Sequence, residues 1–187
     1  MNERQRARRP GGRSARVGAE VHQAVIDLIN ERGYGNFTVG QVAARAGVAD
    51  SSIYRRWGSL ENLLSDVVLT RLNAQSPMPD TGSLAGDLRT YAANVAREIT
   101  GPDGLLLVRL AVALSSSGQQ GLEASEELRA ERTRQLQSML DRARERGENA
   151  PDALGVLDHI LAPMYIRVLF GMEFTPDYVD GLVDRML

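Results

Sequence analysis

Apolar residues recur along the chain at helical spacing, and no alternating β-branched run is long enough to predict a strand. Val17, Val21, Ala24, Val25, Leu28 and Ile29 form one stripe at i, i+3, i+4 and i+7. They predict a first helix that Gly33 and Gly35 close. Thr38 is a good N-cap for a short second helix through Ala46, ended by Gly47, the residue best suited to a left-handed turn. A third helix begins near Asp50. Ser59 caps a fourth, with Leu60, Leu63, Leu64, Val67, Val68 and Leu72 on one face.

Pro77, Pro79 and Gly82 mark 74–83 as a loop and a domain boundary. Five helices are expected beyond it. Leu84, Leu88, Tyr91, Val95 and Ile99 stripe the fifth, which stops at Gly101-Pro102. The sixth, around Leu105 to Leu114, is apolar on nearly all sides and is expected at the buried centre of the second domain. The seventh runs from about Leu122 to Arg146, with Leu128, Leu136, Met139, Leu140 and Ala143 inward and a charged, solvated outer face. The eighth and ninth start near Pro151 and Pro176, since proline fits a first helical turn. The fold class expected is therefore all-α: a three-helix N-terminal domain followed by a larger helical domain, about nine helices in all. Its parts are a basic, unstructured arm over 1–16, a first domain over 17–74 that includes the linking fourth helix, and a second over 75–187.

Charge sharpens this division. Residues 1–58 hold 10 Arg against 5 acids, net +5, which leaves 12 basic and 19 acidic residues and net −7 for 59–187. A cationic unit joined to an anionic one fits a first part that meets a polyanion and a second that keeps the molecule soluble. The alternative is an Arg-rich tail on a neutral domain. Every basic residue is Arg, whose planar fork suits phosphate and guanine.

Composition also excludes functions. With no cysteine, a disulfide framework, a thiolate zinc site and a cysteine nucleophile are ruled out. His22 and His159 by themselves make neither a metal site nor a triad, and His159 reads as a surface or hydrogen-bonded histidine. No phosphate loop is present, and no metal or cofactor is expected. An enzyme on a helical scaffold is disfavoured for these reasons. The longest apolar stretch, Gly104 to Leu114, is interrupted by Arg109 and too short to span a bilayer. The basic N-terminus lacks the apolar core of a secretory signal, so a cytoplasmic location without membrane association is expected.

The second and third helices carry the chemistry. A helix-turn-helix needs a small residue where its helices cross, a glycine in the turn and apolar anchors that fix the angle. Val39, Val42, Ala43, Gly47, Val48 and Ile53 fall where those demands lie. Tyr54-Arg55-Arg56-Trp57 then combines aromatic bodies with guanidinium groups for phosphates or base edges. An ordinary pair of core helices is the alternative, and the coincident positive charge argues against it.

The run Thr38-Val-Gly-Gln-Val-Ala-Ala-Arg-Ala-Gly-Val-Ala-Asp-Ser-Ser-Ile-Tyr-Arg-Arg-Trp57 resembles the DNA-binding signature of the TetR family of bacterial regulators. The resemblance implies that Thr38 and Tyr54 hold phosphates. It assigns base reading to Asp50, Ser51, Ser52 and Arg55, and backbone contacts to Arg45 and Arg56, with Gln41 and Trp57 completing the candidate set. Two positions depart from the signature. Ala49 stands where the family has a capping Ser, so Asp50 has two candidate roles, cap or base reader. Leu60 stands where the family often has Lys, leaving the N–H groups after Ser59 as the phosphate site there.

Arg146-Gly147-Glu148 and Ala162 to Gly171 are similar to one branch of the family's variable C-terminal part. The resemblance implies a homodimer whose eighth and ninth helices pair into a four-helix bundle. Candidate interface stripes are Leu157, Leu161, Met164 and Val168, and Val179, Leu182, Val183 and Met186. It also implies an effector pocket surrounded by helices 4 to 7. Candidates there are Tyr91, Arg109, Met139, Met164, Tyr165 and Phe170, each with a packed-core or interface reading beside it. The function expected is a ligand-responsive regulator, a repressor released from a pseudo-palindromic operator by a small apolar effector. The alternative is a constitutive or architectural DNA-binding protein without an effector.

Overall fold

The computed structural model describes residues 11–33, 35–101 and 104–187, with the side chains of 11–13 and 105–107 left aside. Among these residues all regular structure is helical: α1 (Gly11–Arg32), α2 (Val39–Ala46), α3 (Asp50–Trp57), α4 (Leu60–Gln75), α5 (Leu84–Ile99), α6 (Gly104–Ser115), α7 (Gly118–Glu145), α8 (Ala153–Val156), a π-helical turn (Leu157–Leu161), α9 (Ala162–Leu169) and α10 (Pro176–Asp184). The helical run from Ala153 to Leu169 is continuous, so counting it as one rod gives nine helices among the described residues. No helix of the described residues is long and apolar enough to cross a membrane.

The chain divides into two compact units, Met1–Leu64 and Ser65–Leu187. That division falls inside α4, between Leu64 and Ser65. Part of the expected arm over 1–16 is helical. Residues 1–10 lie outside the described part, but 11–16 are helical, and Arg16 pairs with Glu20 one turn on (2.9 Å).

In the first unit, Val21, Val25 and Leu28 of α1 pack with Val42 and Ala43 of α2 and Ile53 of α3, all nearly inaccessible. The start of α2 is fixed by a reciprocal cap. The Thr38 hydroxyl accepts from the Gln41 N–H (3.4 Å), and the Gln41 side chain accepts from the Thr38 N–H (3.0 Å). Gly47 ends the helix at φ 66°, which an L side chain tolerates poorly. Ser59 caps α4 through the Asn62 N–H (3.1 Å).

In the second unit the core is built by α5, α7 and the helices after Ala153, with Leu88, Ala92, Met139, Leu140, Val156 and Ile160 at its centre. Helix α6 is not that centre. It packs along α7, burying Leu110 and Leu114, while Val112 stays 60% exposed and Arg109 is exposed. Helix α7 starts at Gly118, earlier than Leu122, because Gly121 lets its first turn close on α6: a Cβ there would lie 2.2 Å from the Leu114 carbonyl. Asp152 caps α8 through the Gly155 N–H (2.7 Å), and Thr175 caps α10 ahead of Pro176.

The loop before α5 is tied down by ions. Asp87, fully buried, accepts from the Thr81 N–H (2.6 Å) and hydroxyl (2.8 Å) and from Arg146 (3.3 Å). Glu148 accepts from the Leu84 N–H (2.8 Å) and from Arg146 (2.9 Å). The Arg146-Gly147-Glu148 run therefore clamps the C-terminal end of α7 onto the N-terminal end of α5.

Candidate nucleic-acid interface and interior cavity

Helix α3 has one buried and one exposed side. Ile53 and Trp57 face inward, whereas Asp50, Ser51, Arg55 and Tyr54, the last 53% exposed, face solvent, and Ser52 is half-buried. This is the arrangement a recognition helix needs: anchors on one face, hydrogen-bonding tips on the other. Two of its arginines are thereby distinguished. Arg55 projects outward, but Arg56 turns back, donating to the Ser14 carbonyl (3.0 Å) with its guanidinium 4.8 Å from the centre of the Trp57 ring. That guanidinium occupies the space a Cβ on Gly18 would take (2.9 Å), so it braces the first turns of α1 against α3.

Other expected DNA contacts also have internal duties. Trp57 is 9% exposed, beside His22 (ring centroids 6.0 Å), so most of its ring packs inside the domain. Its ring is the last apolar anchor of α3. Arg45 forms a bidentate pair with Glu31 (2.6 and 2.7 Å), which holds the Glu31 carboxyl below its ordinary range. Thr38 and Gln41 are exposed while completing the cap of α2. Ala49 occupies the extended N-cap position of α3 and supplies no side-chain cap. Asp50 does not take over: its carboxylate lies beside Gly40, where a Cβ would come within 3.2 Å of it.

The second unit contains a cavity of about 380 Å³. Its apolar walls come from Val68 and Leu72 of α4, Val95 of α5, Val108 and Val112 of α6, Leu128 and Leu136 of α7, and Leu157 and Leu161 of the π turn. Polar groups on the wall are Tyr91, Tyr165, Ser125, Thr133, Arg129 and Arg132. Of the residues expected there, Tyr91 and Tyr165 line it. Met139 and Met164 do not, being fully buried core residues, and neither do Arg109 and Phe170, which are exposed. Arg132 was the residue the sequence hid, because it looks like one more charge on the solvated face of α7. Burial raises the pKa of both Tyr91 and Tyr165, opposed by Arg132.

The expected dimer stripes turn out to be mostly core. Leu161, Val179, Leu182 and Val183 are buried within their own chain, Val168 and Met186 are half-buried against the same core, and Leu157 lines the cavity. The π-helical turn explains part of this. Its wider i→i+5 geometry rotates the face that follows, and beyond it Ile166, Leu169, Phe170 and Met172 are exposed, as Leu154 and Leu157 are before and within it.

Residues 23–67 match the sequence profile described as bacterial regulatory proteins, tetR family, and residues 78–186 match that of the tetracyclin repressor-like C-terminal domain. The HTH-type transcriptional regulator AqdR of Rhodococcus erythropolis is 35% identical over 136 residues, 73% of this chain and 65% of its own, so the chain spans just under two thirds of that relative. The uncharacterised HTH-type regulator YdeS of Bacillus subtilis (strain 168) is 31% identical over 174 residues, covering 87% of this chain and 86% of its own. Among solved structures, that of the TetR family transcription regulator SCO0332 superposes with a TM-score of 0.72 at 26% identity, covering 91% of this chain and 96% of that one.

Proposed function

The chain belongs to the TetR family of DNA-binding transcriptional regulators, and from that premise we propose that it is a cytoplasmic homodimeric repressor released from a pseudo-palindromic operator by a small, mostly apolar effector. The relatives are regulators and not enzymes. The observation that carries the reading is the exposed face of α3, where Tyr54, Arg55, Ser51 and Asp50 stand clear of the core. Tyr54 and Thr38 hold phosphates. Arg55, with Ser51, Ser52 and Asp50, reads base edges, since arginine offers two parallel donors to guanine.

The cavity supports an effector, being within the volume range of pockets that take small molecules. Helix α4 is the proposed lever. It is continuous from Leu60 to Gln75, begins in the first unit, and contributes Val68 and Leu72 to the cavity wall of the second. To act, the effector must bind a conformation in which the two recognition helices no longer match successive major grooves, about 34–36 Å apart. A ligand with equal affinity for both states shifts nothing.

For the dimer, Ile166, Leu169 and Phe170 at i, i+3 and i+4 support a partner surface at the C-terminal end of α9, since a monomer gains nothing by exposing them. The test of the proposal is operator titration with and without apolar compounds. A compound that binds should lower operator affinity, a coupling of about 1 to 3 kcal/mol giving about 5- to 150-fold release. Binders that leave operator affinity untouched would favour constitutive DNA binding.

A further inference from the structure

The cavity is apolar over most of its wall, yet its charged residues are both cations. Arg129 and Arg132 line it, and among the described residues no Asp or Glu does. The two arginines differ. Arg129 is largely exposed, with Glu126 at 3.8 Å. Arg132 is half-buried, and its partners are all neutral oxygens: Nη2 donates to the Ser76 carbonyl (2.7 Å), and Nη1 to Gln135 (3.0 Å) and Asn73 (3.4 Å). Its guanidinium carbon lies 5.4 Å from the centre of the Tyr91 ring.

Glu98 lies near this group, and Arg71 and Arg132 both draw on its carboxylate. Glu98 is nearly buried and takes the Ser76 hydroxyl (2.8 Å), and burial pushes its carboxyl above the usual range against the pull of Ser76, Arg132 and Arg71. Arg132 lines an apolar space while hydrogen-bonded to neutral oxygens, so an anion in that space gains a charge-assisted contact with it. In a low-dielectric wall the arginine favours an anion far more than it would in water. The hydroxyls of Tyr91 and Tyr165, which burial shifts further from ionisation, add donors in the same lining.

We propose that the cavity selects an apolar molecule carrying one carboxylate, with the carboxylate at Arg132, Tyr91 and Tyr165 and the hydrocarbon body against the valine and leucine walls. This rests on the reading of the cavity as the effector site. Arginine suits the task because its planar fork matches a carboxylate in two parallel contacts. The same wall disfavours amines, which would meet the cations Arg129 and Arg132. A neutral alcohol of the same body keeps the apolar contacts and forgoes the charge-assisted ones.

The test uses the full chain in calorimetric titration at neutral pH, with two bodies, decyl and 4-pentylphenyl, each as carboxylic acid, primary alcohol and primary amine. In at least one body the acid should bind about tenfold or more tightly than the alcohol, the amine being weakest. Arg132→Gln should bring acid and alcohol within about twofold while the alcohol keeps its wild-type affinity; Arg132→Lys should keep part of the preference. An acid preference that survives intact in a folded Arg132→Gln protein overturns the inference. Should that variant fail to fold, the wild-type ordering decides: alcohols or amines binding as tightly as the acids overturn it, as does binding by none of the six. Operator titration with the same probes separates the two readings. Neutral binders that release DNA without acid preference leave the effector site standing and remove this inference. Acids that bind preferentially but release no DNA do the reverse.

Discussion

The Arg45 guanidinium meets the Glu31 carboxylate fork to fork, Nη1 to Oε1 at 2.6 Å and Nη2 to Oε2 at 2.7 Å, joining α2 to the end of α1. So paired, Arg45 reaches a phosphate only by giving up its two contacts to Glu31. Glu31→Gln should release Arg45 to the DNA backbone, strengthening binding to all duplexes alike. The slope of log affinity against log salt should steepen by about 0.9 for each Arg45 newly engaged. Titrations at several salt concentrations check this, and an unchanged slope would show that Arg45 already contacts DNA or never reaches it.

Neighbouring residues of α3 should fail in different ways. Tyr54 and Arg55 are exposed, so Tyr54→Ala and Arg55→Ala should weaken operator binding while thermal stability stays near wild type. If Arg55 reads a guanine, its loss should cost about 1–3 kcal/mol at that position and relax the preference there. Trp57→Ala should instead cost about 3–5 kcal/mol of stability, because it empties a buried site. Melting curves beside binding isotherms separate the two classes.

The clamp at Glu148 predicts an acid dependence. The Leu84 N–H, then Arg146, holds its carboxyl below the ordinary range. Its folded pKa is thus lower than its unfolded one, and the unfolded chain binds more protons as pH falls through that window. The stability it contributes is full above the ordinary glutamate value, about 4.3, and is lost as pH drops through the folded value. Urea midpoints measured between about pH 3 and pH 6 should fall with acid in the wild type and fall less steeply in Glu148→Gln. Parallel curves would remove Glu148 from the account.

How far the sequence could be read depended on what each residue's role required. Thr38 and Gly47 were legible because a cap and a left-handed turn are local demands, met within four residues of chain. So was the division of α3 into Ile53 inside and Tyr54 outside. The face of the eighth helix was not, since a π turn at Leu157–Leu161 shifts the periodicity by a residue that no composition marks. Leu182 and Val183 looked like an interface because the stripe is the same whether the cover is another chain or α5. Arg132 was hidden for the opposite reason: its cavity is assembled from four other stretches of chain, none of them near it in sequence.

The surface proposed for the partner yields a prediction. Ile166→Arg, at an exposed position 51% accessible, should leave the helical content intact and convert the dimer to monomer, because two unpaired cations would be buried at a self-complementary surface. Leu161→Arg places the charge in the core of the chain itself and should unfold the second unit. Sedimentation velocity with circular dichroism distinguishes these. A folded Ile166→Arg dimer would place the interface elsewhere.

The most direct test of the whole account is selection of bound duplexes from random DNA by the full chain, run beside the Tyr54→Ala/Arg55→Ala double variant. The account predicts enrichment of two inverted half-sites with centres about one helical turn, 10–10.5 base pairs, apart or a multiple of that, and loss of the enrichment in the double variant. Recovery of no preferred sequence, or of the same sites by wild type and double variant, would contradict it.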